Sequence, residues 1–178
     1  MSLQFNVSQL LKSDVGQARA YEFDSDEPLD LGEESASDIS GRVRFMLTNF
    51  GIVANVDAHG VLHLNCSRCL EPFSTPVDVA FTEEYQPTID ITTGLPSRTP
   101  HSDSAFDISQ NHTIDLSEAL RQHFVLAEEM IPICRVDCKG LCPTCGTNLN
   151  TDTCDCPPQQ EESPFLALQG LFADRDAD

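Results

Sequence analysis

Gly41-Arg42-Val43-Arg44-Phe45-Met46-Leu47-Thr48-Asn49-Phe50-Gly51-Ile52-Val53-Ala54-Asn55-Val56 carries the pattern that decides the fold. Val43, Phe45 and Leu47 alternate with Arg42, Arg44 and Met46, and Ile52, Ala54 and Val56 alternate with Val53, Asn55 and Asp57. Side chains in a strand point to opposite faces with a period of two, so each run buries one face. Leu62, Leu64 and Cys66 form a third run, and Val77, Val79 and Phe81 a fourth. Asn49-Phe50-Gly51 and Asp57-Ala58-His59-Gly60 read as turns between runs. Short turns between alternating runs predict an antiparallel sheet.

Outward from this block the pattern changes. Phe5, Val7, Leu10 and Leu11 are apolar positions of an N-terminal segment. Glu22 to Asp38 holds eight acids and no base, and reads as an exposed acidic loop or a poorly ordered edge. Gln86 to Asn111 is rich in Pro, Ser, Thr and Asp and reads as a long loop. Asp115-Leu116-Ser117-Glu118 matches a capping box, and Leu116, Leu120, Phe124 and Ala127 follow at helical spacing up to Pro132. Ser163-Pro164 suits a second helix start, with Phe165, Leu168 and Phe172 on one face. The reading is therefore an α+β fold: a mainly antiparallel sheet with one principal helix over residues 1–132, and a cysteine-rich appendage over 133–178.

The appendage holds Cys134, Cys138, Cys142, Cys145, Cys154 and Cys156, and Cys66-Ser67-Arg68-Cys69 adds a second paired motif upstream. Met1-Ser2-Leu3-Gln4-Phe5 has neither the basic start nor the apolar run of a signal peptide, and no stretch approaches the roughly 20 apolar residues of a membrane span. The chain thus reads as cytoplasmic, without a membrane partner, where thiols stay reduced. That favours metal over disulfides. Cys142-Pro143-Thr144-Cys145-Gly146 has the form of a zinc knuckle, in which two thiolates grip one ion from a tight turn lined with backbone N–H groups. Structural zinc takes four ligands, so eight thiols can fill two sites. The preferred partition sets Cys66 and Cys69 with Cys134 and Cys138, and Cys142 and Cys145 with Cys154 and Cys156. A rival places one zinc among Cys134, Cys138, Cys142 and Cys145. Rubredoxin-like iron also suits such a knuckle, and Cys66 with Cys69 also has the spacing of a redox dithiol.

The catalytic signatures sought in the sequence are missing. It lacks phosphate-binding glycine motifs and a Gly-x-Ser-x-Gly turn. His59, His63, His101, His112 and His123 are scattered. A zinc closed by four thiolates has no open position for water. These features point away from an enzyme. The charge is −19, from 10 basic and 29 acidic residues. Such a surface repels phosphate and either attracts basic partners or serves solubility alone. Arg42, Arg44, Arg68, Arg121, Arg135 and Lys139 are the residues from which a local RNA-binding patch would have to be built.

The order of motifs resembles the YceD family, the large ribosomal RNA subunit accumulation proteins. The resemblance rests on Cys66-Ser67-Arg68-Cys69-Leu70-Glu71-Pro72-Phe73 and on Cys138-Lys139-Gly140-Leu141-Cys142-Pro143-Thr144-Cys145-Gly146-Thr147-Asn148-Leu149-Asn150. Asn6-Val7-Ser8-Gln9-Leu10-Leu11, Val77 to Glu84, Ile114-Asp115-Leu116 and an apolar C-terminal segment extend it over nearly the whole chain. It implies a non-enzymatic role in large ribosomal subunit biogenesis, in 23S rRNA accumulation or processing. The implied partner is a basic ribosomal protein or a large-subunit precursor, with direct rRNA contact disfavoured by the charge. The loop from Gln86 to Asn111 is long for that family.

Overall fold

The period-two runs become a six-stranded sheet in the computed structural model, which describes residues 3–91, 93–96 and 105–157. Two compact units form: one from residues 1–67 and 71–134, and a small one from 68–70 with the chain from 135 onward. Mostly β-sheet, the larger unit contains the strands β1 (Gln4–Asn6), β2 (Ala18–Ser25), β3 (Leu29–Asp30), β4 (Ser35–Leu47), β5 (Ile52–Asn65), β6 (Pro72–Pro87), β7 (Phe106–Ile108) and β8 (Thr113–Asp115). Its helices are α1 (Ser8–Leu11) and α2 (Ser117–Ala127). The sheet order is β2-β4-β5-β6-β7, with β3 also beside β4. All pairs are antiparallel except β6 with β7. β1 and β8 pair separately, also antiparallel.

The buried face follows the alternation. Val43, Phe45 and Leu47 of β4 are buried, as are Ile52, Ala54, Val56, Leu62 and Leu64 of β5. Between β4 and β5, Thr48 N–H donates to Gly51 O at 2.8 Å, and Thr48 Oγ1 accepts from the N–H groups of Phe50 and Gly51. Leu116, Leu120 and Phe124 close the core from the helical side, each fully buried. Burial of a side chain of that size contributes about 1.5–3 kcal/mol.

Several expectations are corrected. Asp57-Ala58-His59-Gly60 is not a turn: β5 runs through it, with Asp57 opposite Ala80 and Gly60 opposite Val77. Gly60 is there because Phe124 of α2 needs the room, its Cζ standing 3.0 Å from where a Cβ would sit. Glu22 to Asp38 is not a loop but holds the end of β2, all of β3 and the start of β4. Seven of the eight acids there are exposed and Glu34 is half-buried, and Asp38 adopts φ 52° where the β4–β5 register shifts between Ser37 and Ser40. Gln86 and Pro87 belong to β6, and β7 lies inside the expected loop. Pro72 opens β6.

The capping box forms only in half. Asp115 Oδ1 accepts from Ser117 N–H at 2.8 Å, but Glu118 turns to Arg121 and Gln122 instead of reaching back. α2 ends at Ala127, five residues before Pro132, and Ala127 is exposed. The helix expected from Ser163 lies outside the described residues. No helix among the described residues is long and apolar enough to cross a membrane.

Candidate metal centres

The eight cysteine sulfurs gather into two groups. Cys66, Cys69, Cys134 and Cys138 form one and Cys142, Cys145, Cys154 and Cys156 the other, with the Sγ atoms of each group within 4.8 Å of one another. No disulfide joins any of them. Four bonds of about 2.3 Å to a tetrahedral ion set sulfurs about 3.8 Å apart. Each tetrad can therefore hold a metal ion.

Cys66 and Cys69 sit in the turn between β5 and β6. Cys66 N–H donates to Glu71 O at 3.0 Å, and Leu70 takes φ 61° to bring the chain round. Cys66, Cys69 and Cys138 are buried and Cys134 is half-buried. Within the small unit, Leu141 N–H donates to Arg68 O at 3.0 Å and Arg68 Nη1 to Cys138 O at 3.1 Å. Gly140 passes close to Arg68 at φ 76°, where a Cβ would stand 3.0 Å from Arg68 O. Only glycine meets both demands without strain.

Sequence reasoning gave Asn150 no role, yet it holds this loop together. Its Oδ1 accepts from Lys139 N–H at 2.9 Å and from Arg135 Nη2 at 2.8 Å, while its Nδ2 reaches Cys138 Sγ at 3.4 Å. Asn148 orients it through an Nδ2–Oδ1 hydrogen bond of 2.9 Å. The sequence signal was the run Asn148-Leu149-Asn150 so close to thiols, since asparagine amides bond backbone in tight turns.

The second tetrad is built on the knuckle. Gly146 N–H donates to Cys142 O at 2.9 Å and Cys142 N–H to Thr147 O at 2.8 Å, with Gly146 at φ 75°. Hydrogen bonds from the Cys145 and Thr144 backbone hold the Cys142 thiol below its ordinary range. Thr147, whose hydroxyl lies 3.2 Å from Cys145 Sγ, lowers Cys145 to about 6 with its side chain and backbone. Cys156 is pushed up to about 12, first by its hydrogen bond with Cys145 and then by burial. On Cys154 the Cys156 backbone N–H pulls downward, but Cys142, burial and Cys145 together push the thiol up. Two sulfurs thus carry charge readily, and their charge disfavours ionisation of the other two. A dication among them reverses that field, because a coordinating thiol loses its proton outright. The donor set fits a metal on chemistry as well as on distance.

Other expected participants stay apart. His123 Nε2 lies 2.8 Å from Glu83 Oε1, and its ring stacks on Phe81 at 3.9 Å. His59 faces Asp78 at 2.8 Å, and His63 lies between the Ser37 and Ser74 hydroxyls. Arg42 pairs with Glu22, Arg121 with Glu118 and Arg135 with Asp137, each beside a carboxylate rather than in a joint basic patch.

A family model described as "Large ribosomal RNA subunit accumulation protein YceD" matches residues 54–172, an interval that contains every cysteine of both tetrads. This chain belongs to the YceD family. Among curated YceD relatives, the maize "Large ribosomal RNA subunit accumulation protein YCED homolog 1, chloroplastic" is 40% identical over 60 residues, covering 33% of this chain and 20% of its own. The Arabidopsis thaliana protein of the same name is 36% identical over 58 residues, or 33% of this chain and 18% of its own. An uncharacterized protein of Mycobacterium tuberculosis is 34% identical over 87 residues, 49% of this chain and 40% of its own. The chain thus spans well under two thirds of the length of these relatives. No solved structure matches it at a significant level.

Proposed function

We propose that this chain is a non-enzymatic factor supporting accumulation or processing of 23S rRNA during large ribosomal subunit biogenesis, with a structural zinc in each cysteine tetrad. The observation that carries the reading is the YceD match over residues 54–172. Bound zinc would supply cross-linking of the chain, because its affinity counts as folding free energy. The residues that would hold it are Cys66, Cys69, Cys134 and Cys138, and Cys142, Cys145, Cys154 and Cys156. An all-sulfur tetrahedral set suits zinc or iron, and zinc is the ion for closed structural sites.

The partner in this reading is a basic ribosomal protein or a large-subunit precursor that presents one, in the cytoplasm. A charge of −19 supports that choice over RNA itself, as do the carboxylates beside Arg42, Arg121 and Arg135. The dithiol reading has less support. Cys66 and Cys69 are buried and lie in a strand-to-strand turn, not at the helix N-terminus that activates thioredoxin-like thiols.

The test is depletion of the protein in its own cells, followed by measurement of large- against small-subunit rRNA. Depletion is expected to lower the ratio, and a wild-type copy to restore it. A ratio unmoved by complete depletion rejects the function.

A further inference from the structure

One long edge of β6 has no paired strand among the described residues. β6 pairs with β5 from Pro72 to Tyr85, but with β7 only at Tyr85, Gln86 and Pro87. Phe73–Glu84 therefore offers twelve residues of outward backbone, roughly 40 Å of ladder. An exposed edge of that length is a template for another strand. Pro76 fixes its polarity. Proline has no N–H to give, so it stands where that group would face away from β5. Positions of the same parity, Ser74, Asp78, Ala80, Thr82 and Glu84, then aim their N–H and C=O groups off the edge.

Beside this edge runs a groove of about 170 Å³ with a mixed lining, apolar at Leu62, Phe73, Val77 and Ile133 and polar at Thr75 and Glu129. Phe73 and Val77 are only half-buried, unlike Val79 and Phe81 further along β6. The last turn of α2 and the chain leaving it carry Leu126, Met130 and Ile131, exposed by 77%, 99% and 69%. Acids flank these positions along the chain. Residues 69–97 contain Glu71, Asp78, Glu83, Glu84 and Asp90 and no Lys or Arg, and residues 122–134 contain Glu128 and Glu129 and again no Lys or Arg. Glu129 lines the groove itself.

We propose that the Phe73–Glu84 edge takes up an extended basic segment of a partner protein by strand addition. Alternate apolar side chains would enter the groove and Lys or Arg would lie over the acidic rim. Backbone bonds supply affinity in this mode and alternate side chains supply selectivity. The proposal rests on the reading of a basic ribosomal partner and gives it a place to bind.

The probe is a labelled twelve-residue peptide alternating Lys and Val, with its Glu-Val counterpart as control. Anisotropy is expected to show binding of the Lys peptide only, weakening as salt rises. Hydrogen exchange is expected to slow at Asp78, Ala80, Thr82 and Glu84. Ala80→Pro removes one outward N–H without taking a bond from β5, and is expected to weaken binding by on the order of tenfold. A folded Ala80→Pro protein, checked by its unfolding midpoint, that binds as wild type would overturn the proposal in favour of simple charge attraction. Slow exchange of these amides in the protein alone would also overturn it. If deletion of residues 158–178 abolished that slowing, the chain's own tail would be the occupant, and if dilution did, a second copy would be. Failure of the functional reading is separable, because it shows in rRNA ratios after depletion whether or not the peptide binds.

Discussion

At Gly60 one absent carbon decides how closely α2 can approach the sheet. Phe124 Cζ and Cε1 stand 3.0 and 3.1 Å from the place a Cβ would take. Gly60→Ala is expected to cost about 1–3 kcal/mol through overpacking, read from the denaturant midpoint. Phe124→Leu should cost stability alone yet recover part of the Gly60→Ala loss when combined with it. Strictly additive losses would remove the contact as the cause. The same glycine explains why the centre of the sheet was misread. Asp57-Ala58-His59-Gly60 has turn chemistry, yet Ile52 and Leu62 are separated by an even number of residues, so the alternation never loses phase. Parity was legible; the reason for glycine lay 64 residues away in a helix. At the cysteines, Cys145→Ser is expected to lower metal content from two ions to one and to open the chain near Thr147 to protease. Unchanged metal content and protease resistance would remove Cys145 from the site.

Among the elements, α2 depends on a carboxylate outside it. Burial pushes Asp115 up, but the Ser117 hydroxyl and N–H and the Gln4 amide outweigh it and hold the carboxyl below its ordinary range. A depressed folded-state pKa means the bonds stabilise above the unfolded value near 4 and are lost as pH falls through the folded value. Asp115→Ala is expected to cost about 0.5–1 kcal/mol at neutral pH, the low end for a cap because the group is partly exposed and screened. The gap to wild type should narrow in acid. A gap of equal size well below pH 4 would rule out the carboxylate as the cause. The strands of the sheet were readable because burial on one face writes itself every second residue. β2 and β3 were not, since eight acids between Glu22 and Asp38 masked Phe23, Ala36 and Leu29. Outward positions of an edge tolerate any charge, so composition there says little about backbone.

For the molecule as a whole, the proposed metal and the net charge make separate demands. Stripping metal with a strong chelator is expected to quicken amide exchange across Leu141–Asp152 while β4 and β5 stay protected, because the sheet has an apolar core of its own. Equal exchange before and after chelation would show that metal does not hold the small unit. Self-repulsion at net −19 should also be relieved by salt. The thermal midpoint is expected to rise between low and physiological ionic strength, where charges more than about 8 Å apart become screened. A midpoint that falls would mean attractive pairs outweigh repulsion. The cysteine groups were foreseeable because sulfur pairs recur at short spacing. Asn150 was not, because its work is hydrogen bonding to backbone, which leaves no periodic mark.

Arg68–Leu70 belongs to the small unit although 64 residues separate Cys69 from Cys134. Cloned from residue 135, that unit lacks the Arg68 carbonyl that receives Leu141. During synthesis, at about 5–20 residues per second, the nascent chain carries Cys66 and Cys69 for roughly 3–13 s before Cys134 exists. In that interval the pair meets the cell's oxidants without its later companions.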